Sequence, residues 1–279
     1  MARAVGTSPA HAARGAGEGF VHSRAFEALS RGGFVARGLV YGIIGLLAFE
    51  VAVSDTGKLT DQQGAIRTVA NQPLGEVLLV LLAIGLGGYA LWRLFRAALG
   101  HGPEDTDGTL ERLGGVGSGL VYGGLCVASI NALTGSSTSG ASSNPDKATA
   151  GVFDWPAGRW LVAIAGVVML GVAVYQLVKG VRQTFLDEIK TEEMSVGTET
   201  WITWIGTIGH VARAVVFGLV GWFLLKAAYE FDAKEAVGLD GALTKILRAD
   251  YGPWLLGFVA AGLIAFGVYS LSEARYRRI

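Results

Sequence analysis

The sequence predicts an all-α polytopic membrane protein, with six transmembrane helices as three parallel two-helix repeats in a pseudo-three-fold arrangement. Three observations carry this reading. Gly38-Leu39-Val40-Tyr41-Gly42 recurs letter for letter as Gly119-Leu120-Val121-Tyr122-Gly123, and in relaxed form as Ala214-Val215-Val216-Phe217-Gly218. Each copy is followed by a second apolar run bearing a tyrosine: Tyr89, Tyr175 and Tyr269. The composition is 51% hydrophobic and 16% charged, with a mean hydropathy of +0.45, whereas soluble domains carry about 25% charged residues.

Residues 1–30 are rich in Ala, Gly and Arg and contain no apolar stretch of the kind a cleaved signal peptide needs. They read as a largely disordered cytoplasmic tail, with Ser23 to Ser30 as an interfacial helix that turns Phe26 and Leu29 toward lipid. Repeat 1 is assigned to 31–100, repeat 2 to 110–186, a cytoplasmic linker to 187–200 and repeat 3 to 201–279. The six apolar runs are Phe34 to Val53, Leu74 to Phe95, Leu113 to Leu133, Trp160 to Val178, Val211 to Ala228 and Trp254 to Leu271. Each is about 18–22 residues, enough to cross a ~30 Å hydrocarbon core at 1.5 Å per residue. A soluble fold with six such helices would lack the polar surface to cover them.

The second helix of each repeat is announced by Pro73, Pro156 or Pro253, a residue that fits the first helical turn. Trp155, Trp160, Tyr251 and Trp254 lie at the same boundary, as aromatics do at a headgroup interface. Before two of those prolines, Gly64 to Ala70 and Gly241 to Leu247 read as short amphipathic helices on the outer face. The second repeat has Gly135 to Asn144 instead, nearly all Ser, Thr, Gly and Ala, which predicts a flexible loop.

Arg24, Arg31, Arg37, Arg93, Arg96, Lys179, Arg182, Arg275, Arg277 and Arg278 fall on alternate loops or helix ends on one side. Positive charge near helix ends sets topology, so both termini are expected in the cytoplasm; glycine abundance and Arg in preference to Lys suggest a bacterial source, and hence a bacterial plasma (inner) membrane. An even number of helices per repeat makes the repeats parallel, related by an axis along the membrane normal. A closed pseudo-three-fold ring is the natural packing, with an open arrangement as the alternative.

Small residues spaced four apart, Gly38 and Gly42, Gly119 and Gly123, Ala214 and Gly218, lie on one face of each first helix and predict a close-packed seam. Leucine at Gly42 or Gly123 is therefore expected to disturb packing more than leucine at Ala48. Tyr89, Tyr175 and Tyr269 read either as interfacial anchors or as a ring of hydroxyls facing a central cavity.

Ala36-Arg37-Gly38-Leu39-Val40-Tyr41-Gly42 resembles the first-helix pattern of a bacterial membrane family known only as domain of unknown function 1206. Ala212-Arg213-Ala214-Val215-Val216-Phe217-Gly218 fits it less closely, and the second copy has Ser118 in place of the arginine. The resemblance covers about Gly33 to the C-terminus. It implies a membrane protein built from two-helix repeats and carries no activity.

Residues that bear chemistry are scarce. His11, His22, His101 and His210 show no metal-ligand spacing, and Cys126 is the single cysteine. No phosphate loop or dinucleotide fingerprint occurs in the right context, and zero net charge gives no basic field for nucleic acid. No cofactor, metal or catalytic residue is assigned, and enzymatic activity is not expected. Glu50, Lys226 and Glu230 lie close enough to helix ends to reach water. Arg37, Arg213 and His210, together with Tyr89, Tyr175 and Tyr269, form the candidate polar or anion site. Lipid phosphate is the expected partner of the arginines, with a small anion as the alternative. The expected function is a non-catalytic scaffold or accessory subunit whose partners are the lipid bilayer and other membrane proteins. The alternative is a small transporter or channel with a pathway along the pseudo-three-fold axis.

Overall fold

A computed structural model describes residues 24–54, 59–99, 109–134 and 145–278. The loop expected from Gly135 to Asn144 and the tail before residue 24 lie outside them. The helices are α1 (Arg24–Ser54), α2 (Gln62–Ala70), α3 (Gly75–Leu99), α4 (Thr109–Thr134), α5 (Pro145–Phe153), α6 (Gly158–Val181), α7 (Val196–Glu230), α8 (Leu239–Leu247) and α9 (Gly252–Tyr276). Short 3-10 turns occupy Thr184–Glu188, Thr191–Glu193 and Ala233–Glu235. Six helices, α1, α3, α4, α6, α7 and α9, are long and apolar enough to cross a membrane.

The side where α1 begins and α9 ends is called proximal and the opposite side distal. Arg31 fastens the two helix ends, its Nη1 donating to the carbonyls of Ala274 (2.6 Å) and Arg275 (2.8 Å). The spanning helices extend beyond the apolar runs. α7 starts at Val196, fifteen residues before its apolar run, where Ser195 Oγ accepts from Thr198 N. The end of the expected linker, from Val196 to Thr200, is therefore helix. Likewise, residues 24–30 continue unbroken into α1 and form no separate interfacial helix. Leu29 lies against Gly88 of α3, so it packs inside the bundle.

The outer helices α2 and α8 form where the sequence places them. α2 is capped by Asp61 Oδ1, which accepts from Gly64 N at 2.8 Å. A third outer helix, α5, is present in repeat 2 as well, where the sequence predicts a flexible loop in place of such an element. All three end against the glycine that opens the next spanning helix. A Cβ at Gly75, Gly158 or Gly252 would strike the carbonyl oxygen of Ala70, Val152 or Leu247, respectively. Among the three prolines, Pro253 sits in a helical first turn, whereas Pro73 and Pro156 occupy the preceding turns.

The spanning helices pack in the order α4, α3, α1, α9, α7, α6. Three of these joints set the second helix of one repeat against the first helix of the next: α3 on α4, α6 on α7 and α9 on α1. Two lie within a repeat: α1 on α3 and α7 on α9. Among the described residues, the remaining joint of a closed ring, α4 on α6 within repeat 2, has no packed interface, so the ring is open there.

The glycine seams differ from the expected ones. A Cβ at Gly38 would lie 2.8 Å from Gly267 O, and one at Gly119 would lie 2.7 Å from Leu94 Cγ. At Gly42 a Cβ meets nothing within 4 Å, and Gly123 and Gly218 make only ordinary contacts at 3.9 and 3.8 Å. Gly42 shows its backbone, not its Cβ direction, to α9. Gly45 and Gly221 carry the approach further along: a Cβ there would lie 2.9 Å from Ala260 O and 3.0 Å from Gly166 O, respectively. Ala48 is 1% exposed, inside the core, so the expected tolerance there is reversed.

Candidate functional site

The axis is polar on its proximal half, and the polar groups are bonded to one another. Arg37 lies within the 31-residue α1, one turn from Phe34 and Tyr41, and not at a helix end. It is buried. Its Nη2 pairs with Glu273, Nη1 donates to Tyr89 OH (2.7 Å) and Nε donates to Ser270 Oγ (3.0 Å). The rings of Phe34, Tyr89 and Phe266 lie 5.0–5.2 Å from the guanidinium carbon. Arg37 is thus committed to protein partners, and the expected contact with lipid phosphate is replaced by an internal ion pair.

The pairing runs on through Arg277, which donates to Glu273 Oε1 (2.7 Å) and also meets Glu188, which in turn meets Lys179. Cations and carboxylates alternate along this chain, and it joins α1, α6, α9 and the 3-10 segment before α7. Burial alone would raise the carboxyl pKa of Glu188. Arg277 and Lys179 more than offset that and hold it well below the usual carboxylate range. Burial opposes the charge of Arg277, yet Glu188 and Glu273 together raise its pKa further.

The segment that carries Glu188 caps the proximal mouth of the bundle. Ile189 forms an antiparallel bridge with Arg277, and Lys190 N donates to Tyr276 O at 2.8 Å. Phe185 is fully buried, stacked on His210 with centroids 5.3 Å apart and set edge-on to Tyr269 at 5.2 Å.

Arg213 follows a different pattern. Its guanidinium lies over Phe266 (4.3 Å), Phe217 (5.0 Å) and Tyr41 (5.1 Å), and among the described residues no carboxylate pairs with it. With the Gln176 amide turned to satisfy its neighbours, the oxygen accepts from Arg213 at 2.7 and 3.1 Å and the nitrogen donates to His210 Nδ1 at 3.3 Å. His210 Nε2 and Tyr269 OH are both buried without a partner. The cluster holds five cationic side chains (Arg37, Arg93, Lys179, Arg213 and Arg277) and two carboxylates, Glu188 and Glu273; Arg37, Lys179 and Arg277 pair with the carboxylates, while Arg93 meets Tyr89 and Arg213 lies over Phe266.

The structure therefore gathers Arg37, Arg213, His210, Tyr89 and Tyr269 and leaves Tyr175 out. Tyr89 and Tyr269 are each 1% exposed, while Tyr175 is 55% exposed. No ring of three tyrosines exists, and Tyr89 and Tyr269 are core residues, not interfacial anchors. Sequence reasoning missed Ser270, Glu273, Glu188 and Gln176. One signal was available: four residues after each repeated tyrosine stands a charged residue, Arg93, Lys179 or Glu273. Glu50 is exposed near the distal end of α1, and Lys226 pairs distally with Glu235 (3.0 Å) and Glu230 (3.8 Å). Among the described residues no group of His, Cys, Asp and Glu has the arrangement of a metal site. An apolar cleft of about 250 Å³ between α1 and α2, lined by Ile43, Leu46, Leu47, Thr68, Val69 and Gln72, lies apart from the charged cluster.

Comparison with known proteins agrees with the repeat. Residues 32–111, 113–183 and 208–277 each match the family described as Domain of Unknown Function (DUF1206), and the chain belongs to that family. It is similar to an uncharacterized protein, YxxB, of Bacillus subtilis (strain 168), with 32% identity over 250 residues, covering 88% of this chain and 90% of the relative. No solved structure matches it.

Proposed function

We propose that this member of the DUF1206 family is a non-catalytic scaffold or accessory subunit of a bacterial plasma membrane, with both termini in the cytoplasm. The observation that carries the proposal is the fate of Arg37. Its guanidinium is fixed by Glu273, Tyr89 and Ser270 and walled by aromatic rings where an axial pathway would have to run. Opening such a pathway means separating a buried ion pair, which typically costs 3–5 kcal/mol when one partner is lost. The basic residues of the proximal side support the orientation.

A transporter for a small anion is the second reading, favoured by the excess of cations around the axis. Reconstitution into proteoliposomes separates the two. The scaffold reading expects anion and metabolite flux no greater than in protein-free vesicles. A flux abolished by Arg213→Ala in folded protein would replace it with the transporter reading. Orientation is tested in a Cys126→Ala background, where an impermeant thiol reagent added outside cells should label Asp154→Cys and spare Thr184→Cys. The opposite pattern would invert the topology.

A further inference from the structure

The open joint in repeat 2 keeps the close-contact glycines of the closed joints. Eight residues before the motif aromatic of each first helix stands Gly33, Gly114 or Gly209. A Cβ at Gly33 would lie 2.9 Å from Gly85 O, and one at Gly209 would lie 2.7 Å from Phe266 Cα. Backbone thus meets backbone in repeats 1 and 3. In repeat 2, a Cβ at Gly114 meets nothing within 4 Å, and the same holds for Gly171, the counterpart of Gly85 on the second helix. Next to these glycines, Phe34 and His210 pack on Tyr89 and Tyr269. Their counterpart in α4 is Gly115, which has no side chain to offer Tyr175. The faces of α4 and α6 are therefore shaped for close contact, and no helix among the described residues covers them.

Arg213 lies behind the opening. Gln176 of α6 accepts from its guanidinium, and Tyr122 of α4 packs edge-on to Tyr89, with centroids 4.5 Å apart. The buried, unpartnered Nε2 of His210 lies beyond Gln176. A cation held among aromatic rings without a carboxylate is costly in a low-dielectric interior, and an anion offsets that cost. Approach from water along the axis is covered by Phe185 and its segment, so the open route is sideways from the bilayer. Gln176 precedes the end of α6 at Val181 by about 8 Å at 1.5 Å per residue, a depth suited to a phosphate near the membrane interface.

We propose that the opening between α4 and α6 is a lateral binding site for an anionic amphiphile. Arg213, Gln176 and His210 hold a phosphate-type headgroup, and the chain lies along the apolar faces of α4 and α6. This goes beyond the scaffold reading and does not require transport.

The test is native mass spectrometry of the full chain with equal amounts of phosphatidylglycerol and phosphatidylcholine, alongside thermal-shift measurements with inorganic phosphate. Wild type is expected to retain phosphatidylglycerol in preference to phosphatidylcholine and to show no shift with phosphate alone. Arg213→Gln removes a charge-assisted contact, and Gly171→Leu fills the opening. Each is expected to lower phosphatidylglycerol occupancy at least about tenfold. Arg213→Lys should keep most of it, and Gly114→Leu on the opposite lip should lose it, so a folding defect in either first variant does not decide the matter. Equal preference for phosphatidylglycerol in wild type and all variants would reduce the lipid to an annular contact and overturn the site. A phosphate shift as large as the lipid's would make the ligand a water-borne anion. Disulfide crosslinking of two copies through Gly171→Cys would assign the opening to a second chain.

Discussion

Gly38 and Gly42 stand one turn apart in the same motif, and alanine is expected to act oppositely at the two. At Gly38 the new methyl would lie 2.8 Å from Gly267 O and 3.0 Å from the Leu271 side chain. Backbone oxygen cannot rotate away, so α1 and α9 must separate by several tenths of an ångström. That loosens contacts along an interface that includes Gly45, whose neighbour Ala260 O already lies at the limit of approach. Overpacking of this kind costs about 1–3 kcal/mol. At Gly42 the methyl meets nothing within 4 Å. The helix-propensity gain of alanine over glycine, about 1 kcal/mol, applies at both positions and cancels in the comparison. Gly38→Ala should therefore be less stable than Gly42→Ala by about 1–3 kcal/mol, and Gly42→Ala should match or exceed wild type. The assay is unfolding of the detergent-solubilised protein by heat or denaturant, followed by circular dichroism. If the two variants fall within about 0.5 kcal/mol of each other, the assignment of the seam is wrong.

Further outcomes follow from the charged cluster and the turns. Glu188→Gln leaves Lys179 and Arg277 without their shared carboxylate and should cost about 3–5 kcal/mol, read as faster hydrogen exchange across residues 184–193. Because the folded pKa of Glu188 is depressed, its contribution is full above the ordinary carboxyl pKa of about 4.3 and is lost as pH falls toward the folded value. Protection of this segment should hold from neutral pH to about pH 5 and weaken only in stronger acid, and the substitution should flatten that acid limb. Arg37→Leu should destabilise more than Arg31→Leu by at least about 2 kcal/mol in the same unfolding assay, since Arg31 is half-exposed and divides its bonds between the exposed Glu27 and two helix-end carbonyls. Ala48→Leu should reduce the yield of folded protein more than Gly42→Leu, because Ala48 is enclosed by the core.

The sequence was informative about the bundle and much less so about its interior. Repeated Gly-Leu-Val-Tyr-Gly copies marked the first helices, and Tyr89, Tyr175 and Tyr269 marked the second. Those patterns could not separate Gly38 from Gly42, because residues four apart share a face yet point their Cβ atoms differently against a crossing partner. Nor could they separate Tyr89 from Tyr175. The two occupy the same place in their repeats, but Tyr89 packs on Phe34 and Tyr122, whereas the position that would face Tyr175 is Gly115. Arg37 was visible as a candidate, but its partner was not. Glu273 stands 236 residues away, at the same place in its repeat as Arg93 and Lys179, of opposite charge.

The number of spans, their pairing into repeats and the outer helices of repeats 1 and 3 were determined by the sequence alone, because helix length, apolar runs and recurrence are properties of local chain segments. Which joint of the ring stays open, which tyrosines are enclosed and which charges neutralise one another were decided by the tertiary structure. Those outcomes depend on distances between segments far apart in the chain, where half an ångström at a glycine or one carboxylate on a neighbouring helix decides between a closed interface and an open one.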